Sequence, residues 1–467
     1  MAPSICVCGG KYSSIFLTTK QNGSCEAGKN APFKESISFS PFYQLTISHD
    51  FLLLHTNSKD NVKTDTSRLK NGIRIIHRQI DSPAAHFGII LNTGSRDESP
   101  DQQGIAHFIE HVIFKGTQKR KAFHIISRIE DVGGEINAYT TKEDTAIYAT
   151  FLNEHYARTM ELISDIVTHS TFPEKELKKE KEVIIEEINS YKDSPSELIF
   201  DDFDELFFEG HPIAHNILGT IKQVRQFSRE DIHRFITENY PTDEMVLSSV
   251  GNIPFRRFLN YAEKYFGNLP PKNRRQVRQP FTNYHPGFRK ARKDTFQSHC
   301  IIGTIACDAQ SDKRMKTILL NSILCGQSMN SRLNLSLRER HGMAYNVESN
   351  YTAFSDTGQF NVYFGTEQNN LDKAIRLVKN EFKILKEQRL GILQLSKAKK
   401  QLIGQIAISS ENYDDLMLSL GKSFLLYNKV DSLEDIYTEI EQITAAQLIE
   451  LANELFDNNL LSTLIYE

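Results

Sequence analysis

The chain is poor in three things that would assign a protein to a class. Long apolar runs come first: none approaches the roughly 18 residues of a bilayer span, so no membrane-crossing segment is expected. An excess of one charge sign is also missing. Against 59 acidic side chains stand 55 basic ones, a formal net charge of −4, and no basic block recurs on a helical face, so a nucleic-acid partner is not expected. Cysteine is the third. The six cysteines, at positions 6, 8, 25, 300, 307 and 325, form no CxxC pair, and none falls between residues 66 and 299. That spacing excludes a secreted fold built on disulfides and fits a reducing compartment. Cys6, Cys8 and Cys25 lie close in sequence, but three thiols with no clear further ligand are a weak metal or disulfide cluster. The first residues lack both the basic and apolar blocks of a secretory signal and the arginine-rich amphipathic pattern of a transit peptide, so a cytoplasmic location is expected.

What is present is an ordinary globular balance, 39% apolar and 24% charged, in 467 residues, too many for one ordinary domain. Residues 1–65 are rich in Ser, Lys, Asn and Thr without periodicity and read as a flexible extension. Asn71-Gly72 between two apolar-containing runs predicts a hairpin. A strand over Ala84–Leu91, a strand pair within 136–151, helices near 123–131, 154–168, 174–191 and 228–239, and a strand at 245–250 follow. The polar, Pro- and Arg-rich stretch 269–292 reads as a linker. Beyond it the pattern repeats. Ser228-Arg229-Glu230-Asp231-Ile232 is echoed by Thr444-Ala445-Ala446-Gln447-Leu448, and Ala149-Thr150-Phe151 by Val362-Tyr363-Phe364, at offsets of 216 and 213 residues. The expectation is an α+β fold of two homologous halves, 66–268 and 293–467, each a mainly antiparallel sheet with helices packed on one face.

The chemistry concentrates in His107-Phe108-Ile109-Glu110-His111. On a helix, positions i, i+3 and i+4 share a face, so both imidazoles and the carboxylate point the same way. Phe108, Ile109, Val112 and Ile113 would bury the remaining faces. Two imidazoles and a carboxylate in a dry setting suit a divalent cation, zinc above all. Chance gives about 0.06 such motifs in a chain of this composition; the bland alternative is two structural histidines one turn apart. A third ligand is offered by the helix over Glu174–Asn189, where Glu180 and Glu187 lie seven residues apart on one face with Val183 and Ile184 between them. The alternative there is a solvated helix of Glu–Lys pairs. Glu186 is a neighbouring candidate, but it points off the face shared with Glu180. The pair His211 and His215 has no acid at ligand spacing and Pro212 beside it, so those histidines read as structural. Gly133–Thr145 alternates small and polar residues, which suits an edge strand able to capture an extended peptide, or an ordinary hairpin. The second half has no His-x-x-Glu-His, so one metal site per chain is expected.

The reversed order His-x-x-Glu-His marks the inverzincins, and residues 66–467 resemble the pitrilysin family of zinc metallopeptidases. The family places a glutamate about 80 residues downstream of the first histidine, with another seven before it; Glu187 and Glu180 match. The resemblance implies that His107, His111 and Glu187 hold one zinc ion, that Glu110 activates water, and that Glu180 assists. It implies that Asn137 and Ala138, in the family's Gly-Gly-x-x-Asn-Ala-x-Thr segment, bind substrate backbone. It also implies that Arg338 and Tyr345, seven apart, reach the active site from the second half. One departure is the glycine-poor loop Cys325–Asn330, which puts that loop's flexibility in doubt. Half-length members pair into a four-domain clamshell, so a homodimer that cleaves unfolded or short peptides inside a chamber is expected. The rivals are a catalytic subunit needing a non-catalytic partner and a non-catalytic relative.

Overall fold

A left-handed glycine turns the chain at its first hairpin. Gly72 sits at φ 99°, a conformation open to glycine at little cost, and it returns β1 (Thr64–Arg68) antiparallel onto β2 (Arg74–Gln79), with Arg68 opposite Arg74. The computed structural model describes residues 64–274, 277–326 and 328–467. The expected extension, with Cys6, Cys8 and Cys25, lies outside the described residues except for Thr64 and Asp65, which belong to β1. Gln327 of the glycine-poor loop lies outside them too.

The first half continues with β3 (Ala84–Leu91), α1 (Ile105–Val112), α2 (Ala122–Glu130), β4 (Glu135–Thr140), β5 (Thr145–Leu152), α3 (Tyr156–His169), α4 (Glu174–Lys192), α5 (Pro195–Phe207), α6 (Ile221–Gln226), α7 (Arg229–Asn239), β6 (Met245–Gly251) and α8 (Phe255–Phe266). The second half contains β7 (Phe288–Ala291), β8 (Ser298–Ala306), α9 (Arg314–Cys325), a π-helical segment at Asn334–Arg340, β9 (Ala344–Ala353), β10 (Gly358–Thr366), α10 (Leu371–Glu387), α11 (Ile392–Ser409), α12 (Tyr413–Tyr427), α13 (Leu433–Gln442), α14 (Ala445–Leu455) and β11 (Ser462–Tyr466). The stretch read as a linker thus ends in a strand, β7.

The strands form two sheets, β1-β2-β6-β3-β5-β4 and β7-β11-β8-β10-β9. From β2 onward the first order maps strand for strand onto the second. In each sheet the parallel pairing joins the same two positions, β2 with β6 and β7 with β11. β8 begins 214 residues after β3 (298 against 84), and α14 begins 216 after α7 (445 against 229). The duplication expected from the sequence is therefore a duplication of topology.

Each sheet carries its own half's helices on one face. The other face receives a helix from the opposite half. α12 lies on β3 and β6, where Ser248 Oγ donates to Met417 O at 2.5 Å and Arg74 Nη1 donates to Phe424 O at 2.8 Å. Reciprocally, α5 lies on β8 and β11, its Phe203 ring so close to Gly303 that a Cβ there would stand 2.8 Å from Cζ. This explains why β3 and β10 are buried along almost their whole length: both faces are covered, so their apolar residues run continuously instead of alternating.

Candidate active site

α1 is short, only eight residues, and its start is fixed from several sides. Gly104, at φ 93°, caps it in a conformation that excludes side chains, and its backbone lies against Gly219. The buried carboxylate of Glu98 accepts from Gly104 N at 2.8 Å and from Ala106 N at 2.9 Å, satisfying two of the amides a helix start leaves without partners. Burial pushes this carboxyl up to about 8, while those two donors and Lys142 pull it down. Ile105, Ala106, Phe108, Ile109 and Val112 are buried, as the apolar pattern around the two histidines predicts.

α4 runs alongside and brings its glutamates to the histidines. Ligand atoms of His107, His111 and Glu187 all lie within 4.8 Å of one another. Glu187 Oε2 is 3.8 Å from His107 Nε2 and 3.5 Å from His111 Nε2. Glu186 is exposed, off that face. Glu180 does not join the cluster; its Oε2 sits 3.4 Å from His111 Nδ1, and its Oε1 is held by Lys115 Nζ at 2.8 Å. A carboxylate on one ring nitrogen fixes the tautomer and turns the other nitrogen toward a metal.

The protonation states fit a cation. Burial pushes His107 down to about 3, and the nearby His111 adds to the effect, so its imidazole is a neutral donor at any ordinary pH. Burial works to lower His111 as well, but Glu180 and Glu187 outweigh it and raise the ring to about 9. The same contacts hold both carboxyls below their usual range, against the effect of burial. Two carboxylates therefore converge on a ring that keeps a proton they stabilise, and a divalent cation answers that excess of negative charge better than a proton does. Two imidazole nitrogens and one carboxylate oxygen are the donor set of an open zinc site. Glu110, on the same helix, is fully buried, and burial pushes it up to about 7, in the range of a group that exchanges protons near neutrality.

β4 is an edge strand: it pairs with β5 on one side, Asn137 opposite Tyr148 and Ala138 opposite Ile147, and it packs against α1. Arg338 and Tyr345 lie elsewhere, on the π-helical segment and at the start of β9. The Arg338 guanidinium stands 5.3 Å from the centre of the Tyr345 ring, and Tyr345 is 74% exposed. Their contacts are with each other and with Glu339, so the single chain brings the two together but not onto the histidines. His211 accepts from Ile213 N through Nδ1 and donates to Gln279 O through Nε2, a structural histidine as its surroundings in the sequence suggest.

Four residues escape the sequence reading: Glu98, Lys115, Asp201 and Asp204. The last two line a cavity of about 230 Å³ that opens between the halves beside His107. Lys142 Nζ is 3.6 Å from Asp204, which also accepts from Gln359 at 3.0 Å. Asp201 is bonded by Asn216 at 2.8 Å, and burial pushes it up to about 7. A lone acid on a helix carries no signal of this kind until its neighbours across the fold are known.

Fold and site together define a metalloprotease. Residues 74–221 match the family described as Insulinase (Peptidase family M16), and residues 226–402 match the Peptidase M16 inactive domain. The chain belongs to peptidase family M16. It is 32% identical over 400 residues to the uncharacterized zinc protease YmxG of Bacillus subtilis, covering 85% of this chain and 96% of that protein. It is 29% identical over 422 residues to the mitochondrial-processing peptidase subunit beta of Saccharomyces cerevisiae, covering 87% and 91%. A protease from Helicobacter pylori shares the fold, with a TM-score of 0.81 at 20% identity over 87% of this chain and 99% of that one. The second half's match to a domain described as inactive agrees with its lack of a His-x-x-Glu-His.

Proposed function

We propose that the chain is a zinc-dependent endopeptidase that hydrolyses short or unfolded peptides. The observation that carries this is the convergence of His107, His111 and Glu187 beside an unpaired strand edge. Zinc held by these three residues would polarise a scissile carbonyl and acidify water next to it. Glu110 takes the proton from the attacking water and returns it to the leaving amine. β4 binds the substrate as an added strand along Asn137 and Ala138, which gives affinity with little demand on sequence. Glu180 orients His111. Asp201, the acid in the neighbouring cavity with only a neutral side-chain partner, favours a basic substrate side chain, and Asp201→Asn is expected to raise KM for peptides bearing one while sparing neutral peptides.

Arg338 and Tyr345 are exposed together on the half that lacks the metal site. That supports a homodimer in which each chain supplies the pair to its partner's site, with Tyr345 donating to the developing oxyanion and Arg338 gripping a substrate carbonyl. A second reading, a catalytic subunit completed by a different chain, is favoured by the yeast relative's name as a subunit. Cleavage of a fluorescence-quenched peptide of about 20 residues by the native chain, its chelator-treated form and Glu110→Gln tests the activity, with zinc quantified and mass measured in solution. Activity confined to the zinc-loaded native chain is the expected result. Zinc bound without cleavage points to a missing partner, and cleavage that survives in Glu110→Gln sinks the mechanism.

A further inference from the structure

The spacing between α1 and β4 is set by five residues, Gly94–Glu98, that belong to neither. Ser95 N donates to Thr141 O at 3.0 Å and Arg96 N to Lys142 O at 2.8 Å, a backbone seam to the turn that leaves β4. The seam is so close that a Cβ on Gly94 would stand 2.5 Å from the Lys142 carbonyl carbon. The Arg96 side chain is 4% exposed and makes four charge-assisted contacts. Nη1 donates to Glu143 Oε1 at 2.6 Å, Nη1 and Nη2 grip Asp356 of the second half at 2.6 and 2.7 Å, and Nη2 donates to Gln279 O at 2.7 Å. Asp97 accepts from Arg274 at 2.6 Å and from Arg278 at 2.9 and 2.7 Å, which ties the chain between the halves to the same spot. Glu98 then reaches forward to Gly104 N and Ala106 N, the latter one residue before His107.

We propose that Gly94–Glu98 is a positioning bracket, in which Glu98 sets the metal-binding helix and Arg96 sets the substrate strand. Neither touches metal or peptide. Both are buried, fork-shaped contacts whose removal leaves a charge or a pair of amides without a partner, so the cost falls on whatever they hold in place. The two ends act on different properties: Glu98 on zinc affinity, Arg96 on peptide binding. The Arg96 end rests on the reading of β4 as the substrate strand; the Glu98 end does not.

The test separates them. Zinc affinity is measured by competition with a chromophoric chelator, and peptide affinity by anisotropy of a labelled peptide on the non-cleaving Glu110→Gln chain, with melting curves throughout. Glu98→Gln is expected to loosen zinc about 10- to 100-fold and leave peptide affinity within about twofold. Arg96→Gln is expected to do the reverse, weakening peptide binding about tenfold with zinc unchanged; Arg96→Lys, which keeps charge but loses the fork, falls between. Glu98→Asp and Arg96→Lys stand in if the amide variants do not fold. A variant that melts lower but alters neither affinity, or alters both together, is merely structural and overturns the bracket. If Glu110→Gln binds no peptide and the native chain cuts none, the peptidase reading and the Arg96 end fall together, while loss of zinc in Glu98→Gln still upholds the other end.

Discussion

Glu180 and Glu187 sit on one face of α4 two turns apart, yet their surroundings give them different work. Glu187 faces both imidazole Nε2 atoms; Glu180 faces only the far side of His111 and is itself held by Lys115. Glu187→Gln is therefore expected to abolish zinc binding. Glu180→Gln is expected to retain zinc with affinity reduced about 10- to 100-fold, as chelator competition would show. Equal losses in the two would mean that both carboxylates ligate. A second residue-scale expectation concerns pH. Glu348 on β9 is raised by burial from 4.5 to about 7. Between those values the unfolded chain has shed this proton and the folded chain keeps it, so stability falls as pH rises through that window. Glu348→Gln removes the loss: its melting point should exceed the native one at pH 8, by on the order of 2 kcal/mol in stability, with a much smaller gap at pH 5. At this scale the sequence is legible where chemistry is packed into one helical turn or one heptad, as with His107, Glu110, His111 and the Glu180–Glu187 pair. It is silent on Glu98, Lys115 and Asp201, single charges whose meaning comes from partners placed by tertiary folding.

Among the elements, periodicity located nearly every strand and helix around the site, because those segments bury one stripe or one face. α5 escaped it. Its apolar residues Ile199, Phe200, Phe203 and Phe207 do recur at helical spacing, but the surface they cover belongs to a sheet whose strands lie about a hundred residues later in the chain, beyond the reach of any local pattern. The start of α1 is fixed by backbone contact as much as by side chains. Gly219 has φ 69°, and a Cβ on it would stand 2.7 Å from Gly104 Cα. Gly219→Ala should therefore cost about 1–3 kcal/mol, seen as a lower melting point, and should loosen zinc as the helix start is pushed aside. A stable variant with native zinc affinity would show that α1 is held from its other end.

At the level of the whole molecule the two halves repeat one topology, while the metal cluster found among the described residues belongs to the first. The repeat was readable at an offset near 215 residues because the capping and strand segments kept their pattern. How the halves interlock was not, since nothing in a helix's own sequence names the sheet it will cover. If Arg338 and Tyr345 act on a partner chain's site, Glu110→Gln and Tyr345→Phe should each be poorly active alone. After unfolding and refolding together they should regain activity, because half of a mixed dimer's sites would carry neither lesion. No recovery in a mixture shown to form dimers would place the pair in its own chain's site or outside catalysis.

The crossed placement of α5 and α12 also bears on how the chain is made. A ribosome delivers α5 before any strand of the sheet it covers, and β3 and β6 wait for Tyr413–Tyr427 before their second face is shielded. The zinc-bearing half thus cannot finish folding as a separate unit during synthesis. Translation that stops short of α12 would leave a product displaying bare sheet, a natural target for chaperones and quality-control proteases.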